Sequence, residues 1–166
     1  MTETFQQYKA RILALMEGQD PIAVQRETPK QLTALANSAS ADKLRTRPAP
    51  DKWSVAELLA HLAEAEVTAF WRYRQMLEHD GCPLPPYGQE LWARLGDYGS
   101  RAPKDSLQLF CLLRTANLEM FERLTPQEWK RHGIHAERGE MTVRDLAVQI
   151  AGHDINHLAQ IRVILQ

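Results

Sequence analysis

Apolar residues recur every three or four positions along most of the chain, which is the spacing of an amphipathic helix. This pattern predicts an N-terminal helix within about residues 4–17, treated as a peripheral element spanning residues 1–20. No segment shows the strict alternation expected of a half-buried strand. We therefore predict an all-α chain, most economically a four-helix bundle. The main helices are predicted at about 28–40, 54–78, 104–124 and 142–165.

Polar residues at the predicted helix starts support these boundaries. Ser54 and Glu57 have the spacing of a capping box, in which each residue satisfies a free backbone N–H at the helix start. Thr142 precedes the last helix in the same way. Thr28 followed by Pro29 predicts the start of the first main helix, because proline is favoured at the first helical position.

The connection between the second and third main helices, about residues 79–103, is rich in glycine and proline. A connection of this length is uncommon in a compact domain, and it is long enough to let those two helices run parallel. One short helical turn is predicted within it at 89–95. Tyr87, Trp92 and Tyr98 predict that it packs on the bundle as a crossover, and a lid over a pocket is the alternative.

Two histidines occupy the apolar face of the last predicted helix. His153 and His157 are four residues apart, so their rings lie on one face, in phase with Leu146 and Ile161. A polar ring at such a position needs a hydrogen-bonding partner or a metal. His61 has a similar position in the second main helix. We nominate His61, His153 and His157 as metal ligands, and core histidines held by hydrogen bonds are the alternative.

Polar residues near these histidines are candidates for supporting roles. Glu64 lies three residues after His61, and we nominate its carboxylate as a base or as an acceptor from a ligand ring. Gln160 lies three residues after His157 and is placed to reach the same cavity. Asp154 is expected to be a solvated or interhelical polar residue.

Length and composition limit the functional classes. At 166 residues, with 44% apolar and 25% charged residues, the chain is expected to form one globular domain, 1–166. Its net charge of −1 gives no reason to expect nucleic acid or a membrane as a partner. Cys82, in a predicted loop, and Cys111 are expected to be reduced thiols in a cytoplasmic protein. His79 is expected at a helix end, where a positive charge suits the helix dipole, and His132 and His135 are expected in a solvated loop.

Three segments of the chain carry a resemblance to a known family: Arg47–His61, Gly133–Thr142 and Gly152–Ile161. In these segments the chain resembles the DinB-like (YfiT-like) superfamily. The resemblance implies an up-down-down-up bundle that is commonly a homodimer. It also implies a divalent metal, which is zinc, nickel or iron in different members, at His61 and the two histidines of the last helix. Members of the family are often assigned as metal-dependent hydrolases, and its known activities include transferases and isomerases that use low-molecular-weight thiols.

Three neutral imidazoles leave at least one metal position open, which is typical of a catalytic site. The first functional hypothesis is therefore a metal-dependent enzyme with a small-molecule substrate, acting as a hydrolase or as a small-thiol-dependent S-transferase. The alternative is a non-catalytic dimeric bundle that a metal stabilises or that senses a metal. The two hypotheses differ in whether turnover, or only stability, depends on the metal.

Overall fold

The computed structural model describes residues 4–166, so residues 1–3 of the predicted 1–20 segment lie outside the described range. The α-helices of the described residues are α1 (Phe5–Ala14), α2 (Pro21–Asn37), α3 (Ala41–Arg45), α4 (Val55–Glu78), α5 (Gln89–Leu95), α6 (Pro103–Phe121) and α7 (Val143–Leu165). The strands are β1 (Cys82–Leu84), β2 (His132–His135) and β3 (Gly139–Thr142), and a 3₁₀ turn spans Glu128–Lys130. No helix within residues 4–166 has the length and apolar character needed to cross a membrane.

Helices α2, α4, α6 and α7 form the predicted up-down-down-up four-helix bundle, in which α4 packs on α6 and α2 packs on α7. The long crossover between α4 and α6 contains β1 and α5. Its aromatic residues pack as predicted: Tyr98 is buried against Trp53, and the rings of Tyr87 and Trp92 lie 4.5 Å apart.

The predicted start of the first main helix is wrong. Helix α2 begins at Pro21, capped by Asp20, and continues through Pro29. A proline inside a helix deprives the carbonyl four residues earlier of its donor, which here is the carbonyl of Gln25. That carbonyl instead accepts a hydrogen bond of 3.1 Å from Nη1 of Arg114 in α6. A long-range contact therefore compensates for a local break that the sequence pattern could only interpret as a boundary.

The capping boxes of the two histidine-bearing helices form as predicted. In α4, the Ser54 hydroxyl accepts from the backbone N–H of Glu57, whose carboxylate accepts from the Ser54 N–H. Thr142 and Asp145 make the reciprocal pair at the start of α7. Because these caps fix where each helix begins, they also fix which residues face the core.

A small three-stranded sheet, absent from the sequence prediction, lies at one end of the bundle. β1 pairs in parallel with β2, which pairs antiparallel with β3. Strands of three or four residues are too short to show a period of two. The sheet corrects two expectations: Cys82 lies in a strand rather than a loop, and His135 is only 2% exposed rather than solvated. His132 lies in the same strand and contacts Asp80 at 3.0 Å.

Helix α1 packs closely against α7 at Gly152, the residue before His153. Ile12 of α1 is completely buried. A Cβ atom at Gly152 would lie 2.5 Å from the Ile12 carbonyl oxygen, so only glycine permits this approach. The N-terminal helix thus covers the part of α7 that carries the histidines.

Candidate metal site and its cavity

The three nominated histidines come together between α4 and α7. The Nε2 atom of His153 lies 3.0 Å from Nε2 of His61 and 3.1 Å from Nε2 of His157. All three atoms lie within 4.8 Å of one another. Imidazole nitrogens that share one ion at about 2.0–2.1 Å are roughly 3.0–3.4 Å apart. The spacing of the donor atoms therefore fits a single divalent cation.

Gln160 orients one of these rings. Its Oε1 atom lies 3.0 Å from Nδ1 of His157, and an amide oxygen can only accept a hydrogen bond. Nδ1 of His157 therefore carries the proton, and the lone pair of Nε2 points towards the other two histidines. This arrangement is typical of metal-binding histidines, whose outer nitrogen donates to a fixed acceptor.

The protonation of the three rings also suits a metal site. Burial, with a smaller effect of His157, lowers the pKa of His61 to about 3. Burial lowers the pKa of His157 to about 4, although the hydrogen bond that its ring donates to Gln160 opposes this shift. The pKa of His153 falls well below its ordinary value, mainly because the ring is buried. All three rings are therefore neutral near pH 7 and can donate lone pairs.

We expect Gln160→Ala to weaken metal binding by about 10-fold to 100-fold, because His157 would lose the acceptor that fixes its orientation. Gln160→Glu keeps an oxygen acceptor at the same distance along the side chain and should stay within a few-fold of the parent. Competition with a chromophoric zinc chelator measures both affinities. Equal metal affinity of the parent and Gln160→Ala would show that Gln160 does not contribute to metal binding.

A cavity of about 410 Å³ leads to the histidine cluster. His61 and His153 form part of its wall, so a small molecule that enters can reach them. Tyr87 of the crossover also lines it, together with Arg72 of α4 and Arg138 of the turn between β2 and β3. The crossover is thus a wall of the cavity as well as a connection between helices.

A buried ionic cluster lies behind the histidines. Arg114, which is completely buried, donates to Glu66 through Nε and Nη2 at 3.0 and 2.7 Å. Its Nη1 atom donates to Asp154 at 2.6 Å and to the Gln25 carbonyl. Burial favours the neutral forms of these groups, but the carboxylates of Asp154 and Glu66 raise the pKa of Arg114 above its ordinary value. Asn117 completes the cluster by donating to Glu66 at 2.8 Å.

This cluster connects all four bundle helices. Glu66 follows His61 by five residues on α4, and Asp154 is adjacent to His153 on α7. Arg114 on α6 bonds to both and to the backbone of α2. It therefore fixes the separation of the two helices that present the histidines. The expectation that Asp154 is a solvated or interhelical residue resolves to the second case.

Glu64 makes no hydrogen bond to any of the three histidines within residues 4–166. Its carboxylate pairs with Arg101 at 2.8 Å, and its side chain is 19% exposed. The role of Glu64 as a base or ring acceptor stays a prediction. Sequence reasoning missed Arg114, Glu66 and Arg72, although each lies in phase with the apolar residues of its own helix.

The fold has solved counterparts. The structure of YfiT from Bacillus subtilis, described as "a probable metal-dependent hydrolase with an unusual four-helix bundle topology", matches with a TM-score of 0.81 at 24% identity. The match covers 87% of this chain and 83% of that one. A mycothiol-dependent maleylpyruvate isomerase matches with a TM-score of 0.68 at 11% identity. That match covers 89% of this chain and 60% of the isomerase, and it shows a common fold.

Sequence comparison gives relatives of similar length. The chain is 26% identical over 157 residues to "Putative metal-dependent hydrolase YfiT" of Bacillus subtilis (strain 168), covering 93% of this chain and 88% of the relative. A protein of Geobacillus kaustophilus (strain HTA426), also named as a metal-dependent hydrolase of this kind, is 29% identical over 147 residues. That match covers 87% of this chain and 82% of the relative.

A family-level comparison agrees with both results and spans the site. The family model of the DinB superfamily matches residues 26–161, which include α4, α6, most of α2 and α7, and all three histidines. Because this match extends over most of the sequence, the chain belongs to the DinB superfamily.

Proposed function

We propose that this chain is a divalent-metal-dependent enzyme that acts on a small molecule through His61, His153 and His157. The observation that carries the proposal is the convergence of three neutral Nε2 atoms on one point in the wall of a cavity. A structural metal site is normally closed by four protein ligands, whereas a catalytic site keeps a position open for substrate. Within residues 4–166, the side chains that converge as possible metal ligands are these three histidines, with no fourth ligand.

The chain's own residues supply orientation and protection at this site. Gln160 holds the His157 ring, and Trp53 packs against the His61 ring with centroids 5.3 Å apart. A divalent cation at the three histidines would polarise a substrate oxygen or lower the pKa of a thiol or water beside it. We propose that the Glu64 carboxylate accepts a proton during the reaction or accepts a hydrogen bond from the N–H of a ligand ring.

Two reaction classes are proposed for this arrangement. The names of the curated relatives support metal-dependent hydrolysis. The mycothiol dependence of a protein with the same fold supports a reaction that uses a low-molecular-weight thiol. Parallel assays with ester or amide substrates and with thiol-conjugation substrates would separate the two. A homodimer and a cytoplasmic location stay predictions.

Elemental analysis tests the proposal. We expect the purified untagged protein to contain close to one equivalent of zinc, nickel or iron, because its three neutral donors are already converged. His153→Ala combined with His157→Ala should lose this metal, while His79→Ala, which removes an exposed histidine, should keep it. Parent protein that binds none of these ions even after loading would show the histidines to be core hydrogen-bonding residues.

Turnover separates the enzyme from the alternative of a non-catalytic, metal-stabilised or metal-sensing bundle. If the metal raises thermal stability but neither substrate panel is turned over, the alternative holds. Loss of turnover in the double variant, with metal content and turnover retained in His79→Ala, would support the enzyme.

A further inference from the structure

Within the described residues, one buried arginine in the cavity wall has no counter-ion. Arg72 is only 4% exposed, and within residues 4–166 no carboxylate lies within ion-pair distance of it. Of its five N–H donors, one on Nη2 donates to the Pro85 carbonyl at 2.8 Å. Its Nε atom is buried and has no hydrogen-bonding partner. A buried charge in this state is costly unless something else satisfies it.

Other arginines of this chain show how such charges are normally neutralised. Arg114 binds Glu66 and Asp154 in the core. Arg101 binds Glu64, and Arg47 binds Glu57 at the start of α4. Arg72 differs from these three because its fixed contacts are a backbone carbonyl and the Tyr87 ring, whose centroid lies 5.9 Å from its Cζ atom.

Further positive charge lies in the same region. Arg138 lines the cavity with Arg72, and its guanidinium lowers the pKa of Arg72 after the larger effect of burial. His135 lies near both, since the two arginines lower its pKa after burial. Glu137, an exposed residue, raises the pKa of Arg138 and of His135, whereas within residues 4–166 no carboxylate shifts the pKa of Arg72.

From these contacts we infer that Arg72 and Arg138 form an oxyanion-binding subsite that holds a carboxylate or phosphate group of the substrate. The planar guanidinium of Arg72 offers paired N–H donors that match either group. The Pro85 carbonyl holds that guanidinium in the cavity wall. This inference rests on the proposed function, because it assigns a chemical class to the substrate of the histidine site.

The position of the subsite constrains the shape of the substrate. Arg72 follows His61 by eleven residues on one helix, which corresponds to about 16 Å along the helix axis. Its side chain leans back towards the helix start and shortens that separation. The substrate would therefore carry its oxyanion several bonds away from its reacting atom.

Anion binding, measured apart from turnover, tests the subsite. Inorganic phosphate and succinate are titrated calorimetrically into the His153→Ala/His157→Ala protein, in which anions cannot bind to a metal at the histidines. We expect at least one of them to bind, and the tighter of the two identifies the group that the subsite prefers. Arg72→Met should weaken that binding at least ten-fold, and Arg138→Met, in a turn, should weaken it as well.

Arg144→Met is the matched control, because it removes one exposed positive charge from the start of α7 and should leave anion binding unchanged. The thermal midpoint of Arg72→Met should fall less than that of an Arg114 variant, because the loss of Arg72 leaves no buried carboxylate without its cation. The inference is overturned if neither anion binds, or if both Arg72→Met and Arg138→Met bind as tightly as the double-histidine parent.

The outcomes also separate this inference from the proposed function. If the parent protein never acquires metal but anion binding depends on Arg72, the subsite is upheld and the metal-dependent enzyme is rejected. A metal-loaded, active protein whose histidine variant binds neither phosphate nor succinate would do the reverse.

Discussion

Arg114→Met is expected to lower the free energy of unfolding by about 3–5 kcal/mol, because it leaves two buried carboxylates without their cation. Glu66 and Asp154 both lose charge-assisted hydrogen bonds, and the carbonyl of Gln25 loses the donor that compensates for Pro29. A domain of this kind has a total stability of about 5–15 kcal/mol, so this loss would be a large fraction of the total. Urea titration followed by circular dichroism at pH 7 measures the loss.

The pH dependence of this loss has a definite sign. Burial already raises the pKa of Asp154 in the presence of Arg114, and removal of the arginine must raise it further. The folded variant then binds protons at a pH where the unfolded chain does not, so its stability increases as the pH falls. The deficit of Arg114→Met should therefore be smaller at pH 5 than at pH 7.

Arg26→Met is the matched control for this prediction. Arg26 pairs with Glu122 at 3.0 Å, but both side chains are more than half exposed, at 52% and 57%. Exposed pairs contribute no more than about 1 kcal/mol, so this variant should remain close to the parent. Adding Glu66→Gln and Asp154→Asn to Arg114→Met should recover part of the loss. Equal losses in Arg26→Met and Arg114→Met would show that the buried cluster does not hold the bundle together.

The bundle and the histidines were predictable from the sequence because their signals are local. Apolar periodicity identified α4, α6 and α7, and the caps at Ser54 and Thr142 fixed the phase of two of them. His153 and His157 stood out because each occupies a position where that phase requires an apolar residue. The convergence of His61 with them needed only that α4 and α7 pack side by side.

A search for polar residues at apolar positions of the helical pattern would also have identified the ionic cluster. Glu66 follows Leu62 by four residues, and Arg114 lies midway between Phe110 and Leu118, so both occupy apolar positions of their helices. A polar residue at such a position indicates either a binding site or a buried partner. The sequence could not show which carboxylate meets which arginine, because those pairs come from different helices.

Other features depend on contacts that no local pattern encodes. Helix α2 continues through Pro29 only because Arg114, far along the chain, satisfies the carbonyl that proline leaves free. The parallel pair of β1 and β2 joins segments about fifty residues apart, each too short for its own periodicity to be visible. The cavity wall combines α4, the crossover and the turn after β2, so its positive charge became evident only from the fold.

Metal-free protein is expected to lose stability steeply on acidification, because the buried histidines stay unprotonated in the folded state but become protonated in the unfolded chain. Burial holds the pKa of His61 at about 3 in the folded state, against 6.5 ordinarily. Below pH 6.5, His61 of the unfolded chain binds a proton, whereas the buried His61 of the folded chain does not. The free energy of unfolding therefore falls as the pH is lowered, until the pH reaches the pKa of the folded state. His61 alone should account for a loss on the order of 3 kcal/mol between pH 7 and pH 4.

His61→Gln isolates this contribution, because glutamine does not titrate and the other ionisable groups are unchanged. Both proteins are treated with chelator, and their unfolding free energies are compared by urea titration at pH 7 and pH 4. The parent should lose more stability than His61→Gln, whereas His79→Gln, at an exposed site, should follow the parent. Parallel pH curves for the parent and His61→Gln would mean that His61 accepts a proton in the folded state.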